Sequence, residues 1–271
     1  MLISCMSDDP MKIVENTGIQ SDVLVIDQCD KEEVSDSFLH THKVRVLYTK
    51  ERGLSRSRNM AILNSEKEIG LICDDDEKLN PGYADTIVQA YKKYPDADII
   101  CFRMSNQESR LKQEVQVLNK WTCMRISSWQ ISMKVNSVRQ KHLGFDPYMG
   151  AGSGNGAGEE VKFLRDCIKA GMKVYYVPVD IGTVNNDYYE SGDGSSSQWF
   201  RGFDEKFFYQ RGMVNRYMLG VPVSLAYAAY YSIVKKDMYK QYITPWKSFT
   251  ATVRGIIGND IEKQKRREKA E

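Results

Sequence analysis

Three consecutive carboxylates, Asp74-Asp75-Asp76, follow directly on the apolar run Ile69-Gly70-Leu71-Ile72-Cys73. So close together they repel one another and resist full ionisation unless a positive charge sits among them. A hard divalent cation that also holds diphosphate oxygens fits that need. The plainer alternative is an acidic turn leading into the helix that Pro81 announces. Upstream, Gly53-Leu54-Ser55-Arg56-Ser57-Arg58-Asn59 opens a helical stretch, where the guanidinium of Arg58 either clasps a phosphate or base edge or stands as a surface cation. Glu159-Glu160 begin another helix; acids there serve as proton acceptors or simply favour the positive end of the helix dipole. His40, His42 and His142 are the only histidines, so a bound cation would rest on carboxylate, phosphate and water. The pair His40-x-His42 reads as hairpin or loop surface.

These residues need a scaffold, and the first half of the chain supplies a pattern for one. Short β-rich apolar runs at 2–6, 23–26, 44–48, 69–73 and 99–104 alternate with longer segments, of which 54–63 and 83–91 carry apolar residues at helical spacing. Such β-α-β order predicts a mostly parallel sheet with helices on its faces. Its strands would end where the Asp run lies, the edge at which open α/β sheets bind ligands. From 113 to 135 the pattern becomes irregular and suggests a few mixed or antiparallel strands. Then glycine recurs at every second position from 150 to 158, which marks a loop: a flexible wall admitting a substrate, or a connector. A helix over 159–170 and a strand over 173–177 follow. The glycine pattern matches neither a dinucleotide fingerprint nor a P-loop.

Beyond Pro178 the composition changes. Ser191 to Ser197, beside Trp199, is a solvated loop or an acceptor-side lid. The run 217–234 contains no charge and four tyrosines. With Gly220 and Pro222 inside it a membrane span is not expected. Its tyrosines, the following Lys235-Lys236, and Trp246, Lys247 and Arg254 would suit a bilayer interface; packing on the rest of the protein and contact with a second copy are the alternatives. A solvated helix is expected from 262 to the end.

Composition narrows the function class. In 271 residues, 42% hydrophobic content supports a core of one large domain or two modest ones. Thirty-eight Lys and Arg against 36 Asp and Glu leave a net charge of +2, which argues against nucleic acid as a partner. Six scattered cysteines, none in C-x-x-C spacing, point to buried thiols in a reducing compartment. The first residues lack the basic and long apolar regions of a secretion signal, so a cytoplasmic location is expected, at the inner face of the membrane if the C-terminal region docks there.

Val23-Leu24-Val25-Ile26-Asp27-Gln28, Gly53-Leu54-Ser55-x-Ser57-Arg58-Asn59, Asp74-Asp75-Asp76 with Pro81, and Gly158-Glu159-Glu160 with Phe163-Leu164 and Gly171 stand in an order that resembles the family-2 glycosyltransferases of the GT-A fold. The resemblance covers roughly residues 1–180. It implies a catalytic domain over 1–180 and a C-terminal helical extension over 181–271. The implied donor is a nucleotide-diphosphate sugar, a uridine diphosphate sugar first, with Mn²⁺ or Mg²⁺ as cofactor. Asp27 would bind the base, and Arg58 would lie near base and diphosphate. Asp74 and Asp76 match the D-x-D acids, Asp76 as the direct metal ligand and Asp74 nearer the ribose, with Asp75 counted among the donor-binding acids. Glu160 falls on the general base of the family's E-D pair, with Glu159 beside it.

The implied reaction is inverting transfer of a sugar to a hydroxyl of a glycan or lipid-linked glycan in surface-polysaccharide synthesis. Two features depart from the family's pattern: Ile3-Ser4-Cys5-Met6-Ser7-Asp8 replaces a first strand ending Pro-Thr-Tyr-Asn, and the E-D pair is Glu-Glu. A sugar nucleotidyltransferase is the first rival, but 6–12 lacks the glycine-rich, Arg- and Lys-bearing loop such enzymes carry after their first strand. A non-catalytic nucleotide- or glycan-binding module is the second.

Overall fold

The computed structural model describes residues 1–156, 158–185 and 202–268. They divide into two compact units, Met1–Asp146 with Glu159–Asp193, and Pro147–Gly158 with Gly194–Glu271.

The first unit is an α/β layer structure. Its strands are β1 (Leu2–Cys5), β2 (Val23–Gln28), β3 (Glu33–Leu39), β4 (His42–Thr49), β5 (Ile69–Cys73), β6 (Glu77–Leu79), β7 (Ile99–Met104), β8 (Gln116–Val117), β9 (Ile131–Lys134) and β10 (Val174–Val184). They form one mixed sheet in the order β3-β4-β2-β1-β5-β9-β7-β10-β6, with β8 against β10. At its centre β4, β2, β1 and β5 run parallel. β9 inserts antiparallel between β5 and β7, and β3 and β6 are antiparallel edges.

Among the described residues, the α-helices of this unit are α1 (Pro10–Asn16), α2 (Leu54–Asn64), α3 (Tyr83–Lys93), α4 (Val135–Gln140) and α5 (Glu159–Lys169). Strand alternation sorts the apolar side chains to two faces. Ile3, Val25, Leu71 and Phe102 pack with Val14 of α1 and with Tyr83 and Ile87 of α3. Leu2, Ile26, Ile72 and Cys101 pack with Ile62 of α2, Val138 of α4 and Phe163 of α5. A sheet covered on both faces explains why β1 and β2 are buried along their whole length.

Three details differ from the sequence pattern. β3 is absent from it because Glu33–Leu39 mixes polar residues with exposed Val34 and Phe38 and is largely solvent-facing; Arg45 of β4 holds it by a two-pronged ion pair to Asp36. The irregular stretch 113–135 yields only β8 and β9 as strands, because Asn119 and a Ser127/Gln130 capping box fold the rest into tight turns. β10 continues past the expected end at 177 to Val184. Pro178 falls where the ladder with β7 slips register, so its missing N–H leaves no bond unmade.

The second unit contains α6 (Glu205–Leu219), α7 (Val221–Val234), α8 (Pro245–Gly258) and α9 (Asp260–Arg267). The uncharged run 217–234 is split between α6 and α7, because Gly220 takes φ 78°, which ends the first helix, and Pro222 sits in the opening turn of the second. α6 and α8 touch backbone to backbone: a Cβ on Gly212 would lie 2.0 Å from the Thr252 carbonyl oxygen. Phe207, Phe208, Tyr231, Tyr239 and Ala251 form this unit's core, with the Arg211 guanidinium 4.5 Å from the Tyr231 ring. In the loop from 150 every second residue has positive φ, at Gly150, Gly152, Gly154, Gly156 and Gly158. The loop closes on itself through Gly150 N–H to Gly156 O at 2.7 Å, and Asn155 donates to Gln264 of α9.

The segment 191–197 and Trp199 lie outside the described residues. Among those described, all six cysteines are free, five of them buried, and no helix is long and apolar enough to cross a membrane.

Candidate active site

The C-terminal ends of β1, β2 and β5 lie side by side in the parallel sheet. Asp27, on β2, is buried, and its Oδ1 accepts from the Ser7 backbone N–H at 3.0 Å and from the Cys5 thiol at 3.5 Å. Its neighbour Gln28 accepts from the Gly53 N–H at 2.6 Å, which ties the end of β2 to the start of α2. Gly53 itself holds φ 119°, a backbone state that side-chain-bearing residues rarely adopt.

One turn into α2, Arg58 is almost fully buried and serves two carboxylates. Its Nη2 donates to Asp74 Oδ1 at 2.6 Å and its Nη1 to Glu159 Oε1 at 3.0 Å. Burial opposes its charge, and the two acids, with Glu160 behind them, more than restore it, so the guanidinium stays protonated. Its plane lies 5.3 Å from the Phe145 ring, which stacks on Phe163 of α5. Asn59, the next residue, makes reciprocal bonds to the Phe145 backbone at 2.8 and 2.7 Å. Arg58, the most deeply buried arginine among the described residues, thus links the end of β5 to the start of α5, 101 positions away. The sequence left Arg58 open between a phosphate- or base-directed cation and a surface one; the side chain is buried, and two of its nitrogens are directed at protein carboxylates.

Asp74 is held from both sides, because Ser128 Oγ donates to its second oxygen at 2.9 Å. Its own N–H donates to Glu77 Oε1 at 2.7 Å, closing the turn after β5. Glu77 is buried, and desolvation with the Asp74 charge pushes its carboxyl well above the usual range. Asp75 is exposed; desolvation and Asp74 also raise its carboxyl. Asp76 is half-buried and makes no ion pair among the described residues. Desolvation, then the charges of Asp74 and Asp75, push it up to about 7. Its peptide oxygen is fixed by the Asn185 N–H at 2.7 Å.

The glutamate pair separates into two environments. Glu159 is buried and bound to Arg58. Glu160 is half-buried, and desolvation and the adjacent Glu159 push it up to about 8, with Arg58 pulling the other way. A carboxyl poised in that range accepts a proton from a hydroxyl more readily than an ordinary one.

The chemistry of the donor set fits a divalent cation: hard oxygens, and beside the Arg58-paired Asp74 two carboxylates, Asp75 and Asp76, that make no ion pair among the described residues. Among the described residues no group of three or more His, Cys, Asp or Glu could hold a metal ion, so diphosphate oxygens or water would complete its shell. The histidines play no part: His40 sits at the tip of the β3–β4 hairpin with φ 54°, and His142 follows α4 with φ 53°. Ser128 and Glu77, which hold Asp74, carry no signal in the sequence; Ser128 lies in the stretch without periodicity.

The glycosyl transferase family 2 model matches residues 12–149, half of the chain. The chain belongs to glycosyl transferase family 2. As a member it is a glycosyltransferase working from a nucleotide-sugar donor. The match takes in Asp27, Arg58 and the Asp run and stops before Glu159. Solved structures share the GT-A fold. The transferase's backbone superposes on Staphylococcus aureus TarS in complex with UDP-GlcNAc with a TM-score of 0.58 at 12% identity, over 89% of this chain and 73% of that one. The mannosyltransferase PcManGT from Pyrobaculum calidifontis, in complex with GDP-Man and Mn²⁺, gives 0.50 at 12% identity, over 95% of this chain and 85% of that one. No curated protein sequence matches the chain significantly.

Proposed function

We propose that this glycosyltransferase is inverting and metal-dependent and moves a sugar from a uridine diphosphate donor to a glycan hydroxyl, in surface-polysaccharide synthesis. The observation that carries the reading is the Asp74–Arg58–Glu159 bridge, which couples the acidic turn after β5 to the first turn of α5. Asp76, with Asp74 and Asp75 about it, would hold a divalent cation, which when bound neutralises the leaving diphosphate as charge develops there. Asp27 and Gln28, at the end of β2, line the edge where a base would rest. Glu160 takes the proton of the acceptor hydroxyl as that oxygen bonds the anomeric carbon; the bond to the diphosphate breaks with its electron pair leaving on the phosphate oxygen. Glu159 and Arg58 are positioning residues: locked together, they set where α5 begins and leave Glu160 as the proton acceptor. The choice of uridine follows the sequence resemblance and is supported by the UDP-GlcNAc complex of TarS, which superposes with a higher TM-score than the GDP-Man complex of PcManGT. The polysaccharide setting follows the sequence resemblance.

Thermal shift and transfer assays on three proteins test this. UDP with Mn²⁺ should raise the Tm of wild type and of Glu160→Gln, and the Mn²⁺-dependent part should vanish in Asp76→Asn. Glu160→Gln should bind the donor and fail to transfer. Transfer at wild-type rate in either variant refutes the roles assigned, and a response to GDP but not UDP refutes the donor.

A further inference from the structure

A helix on the surface of a soluble unit normally turns charged residues outward; one that is apolar all round is buried or meets lipid. α7 breaks that rule. Ser224, Ala228, Tyr231 and Ser232 form its inner side, and its outer side is exposed, yet none of its fourteen residues is charged. Ile233 is 70% exposed, and Val223, Leu225, Tyr230 and Val234 also face solvent. The exposed apolar series continues through Met238 and Tyr242 to Trp246, 72% exposed in the first turn of α8. Cations border it. Residues 221–258 hold five Lys or Arg against one Asp, in a chain whose total is only +2. That Asp237 is paired with Lys240, and Lys235, Lys236 and Lys247 are exposed and form no ion pair among the described residues.

We propose that this outer side of α7, with the turn that follows it, is a docking surface for an anionic lipid bilayer. Two observations favour lipid over a protein partner. Tyr and Trp mixed with aliphatic side chains and flanked by unpaired lysines match the depth profile of a bilayer interface, where rings sit at headgroup level and ammonium groups reach phosphates. The charge excess also has one sign, which complements an anionic leaflet. At fourteen residues, α7 lies in the interface and does not cross it. None of these residues is among those assigned to catalysis, so the inference stands or falls independently of the proposed function.

Flotation of the full chain with vesicles decides it. Phosphatidylcholine vesicles containing about one third phosphatidylglycerol should carry the protein, and phosphatidylcholine alone or high salt should reduce binding at least about tenfold. Lys235→Glu with Lys236→Glu, and separately Ile233→Glu with Val234→Glu, should each lower binding to anionic vesicles by at least about tenfold with the Tm unchanged. Because the lysine pair is exposed and makes no ion pair, that variant reports even if the apolar one folds poorly. Wild type that stays unbound, or a lysine variant that floats like wild type, overturns the proposal. So does a dimer in light scattering that the Ile233→Glu, Val234→Glu variant dissociates, since the occupant is then a second copy.

Discussion

Replacing Arg58 by Met keeps most of the side chain's volume and removes its charge. Two carboxylates then lose their partner at once: Glu159, 8% exposed at its side chain, and Asp74, 24% exposed. Breaking a buried pair by removing one member costs about 3–5 kcal/mol, because an uncompensated charge stays behind. Glu159 should carry most of that loss, since Asp74 retains Ser128 and some water. Against a total stability of about 5–15 kcal/mol, the variant should fold with a much lower urea midpoint. Restoring charge balance by adding Glu159→Gln should recover about 1–3 kcal/mol, the coupling typical of residues in one network. Urea denaturation of wild type, both single variants and the double variant supplies the cycle. A penalty below about 1 kcal/mol for Arg58→Met, or single-variant losses that simply add, would show that the bridge holds nothing together and would undo the positioning argument built on it.

Three other outcomes follow from the same structure. Glu160 is pushed up to about 8, so the donor-saturated transfer rate should rise with pH through a midpoint well above pH 6, and the rising limb should disappear in Glu160→Gln. The linked stability runs the other way. A carboxyl raised in the folded state favours folding while protonated, so its contribution is complete below the ordinary glutamate pKa of about 4.5 and is lost as pH climbs through about 8; denaturant midpoints of wild type and Glu160→Gln should diverge across that window. Gly212→Ala should destabilise the C-terminal helices by about 1–3 kcal/mol, despite alanine's better helix propensity, because its Cβ would meet the Thr252 carbonyl oxygen at 2.0 Å. A Tm equal to or above wild type would show that α6 and α8 can separate at no cost.

Much of the sheet could be read from the chain because its central strands are buried on both faces and leave unbroken apolar runs; 69–73 and 99–104 match β5 and β7 residue for residue. β3 could not, since a largely exposed hairpin strand owes its existence to its neighbour's hydrogen bonds and ion pairs. At the site, the acidic run and the glutamate pair stood out as residue types, whereas the division of labour within them did not. Whether Arg58 meets a ligand or a carboxylate depends on what β5 and α5 bring to it, and Glu159 and Glu160 differ only in which side of a helical turn faces that guanidinium. Ser128 shows the same limit, a lone hydroxyl in an irregular segment that folding delivers to Asp74.

The loop entering α5 carries a consequence for how this enzyme can drift over generations. Its backbone takes left-handed values at each even position from 150 to 158, so those sites admit almost nothing but glycine, while the odd sites between are chosen on other grounds. Ala151 is free to vary with little effect on the backbone, but the Ser153 hydroxyl bridges the Gly150 carbonyl and the Asn155 N–H, and Asn155 answers to Gln264. Descendants should therefore show a comb of fixed and free letters here. A single inserted or deleted residue, harmless in most surface segments, would throw every tooth of that comb out of phase.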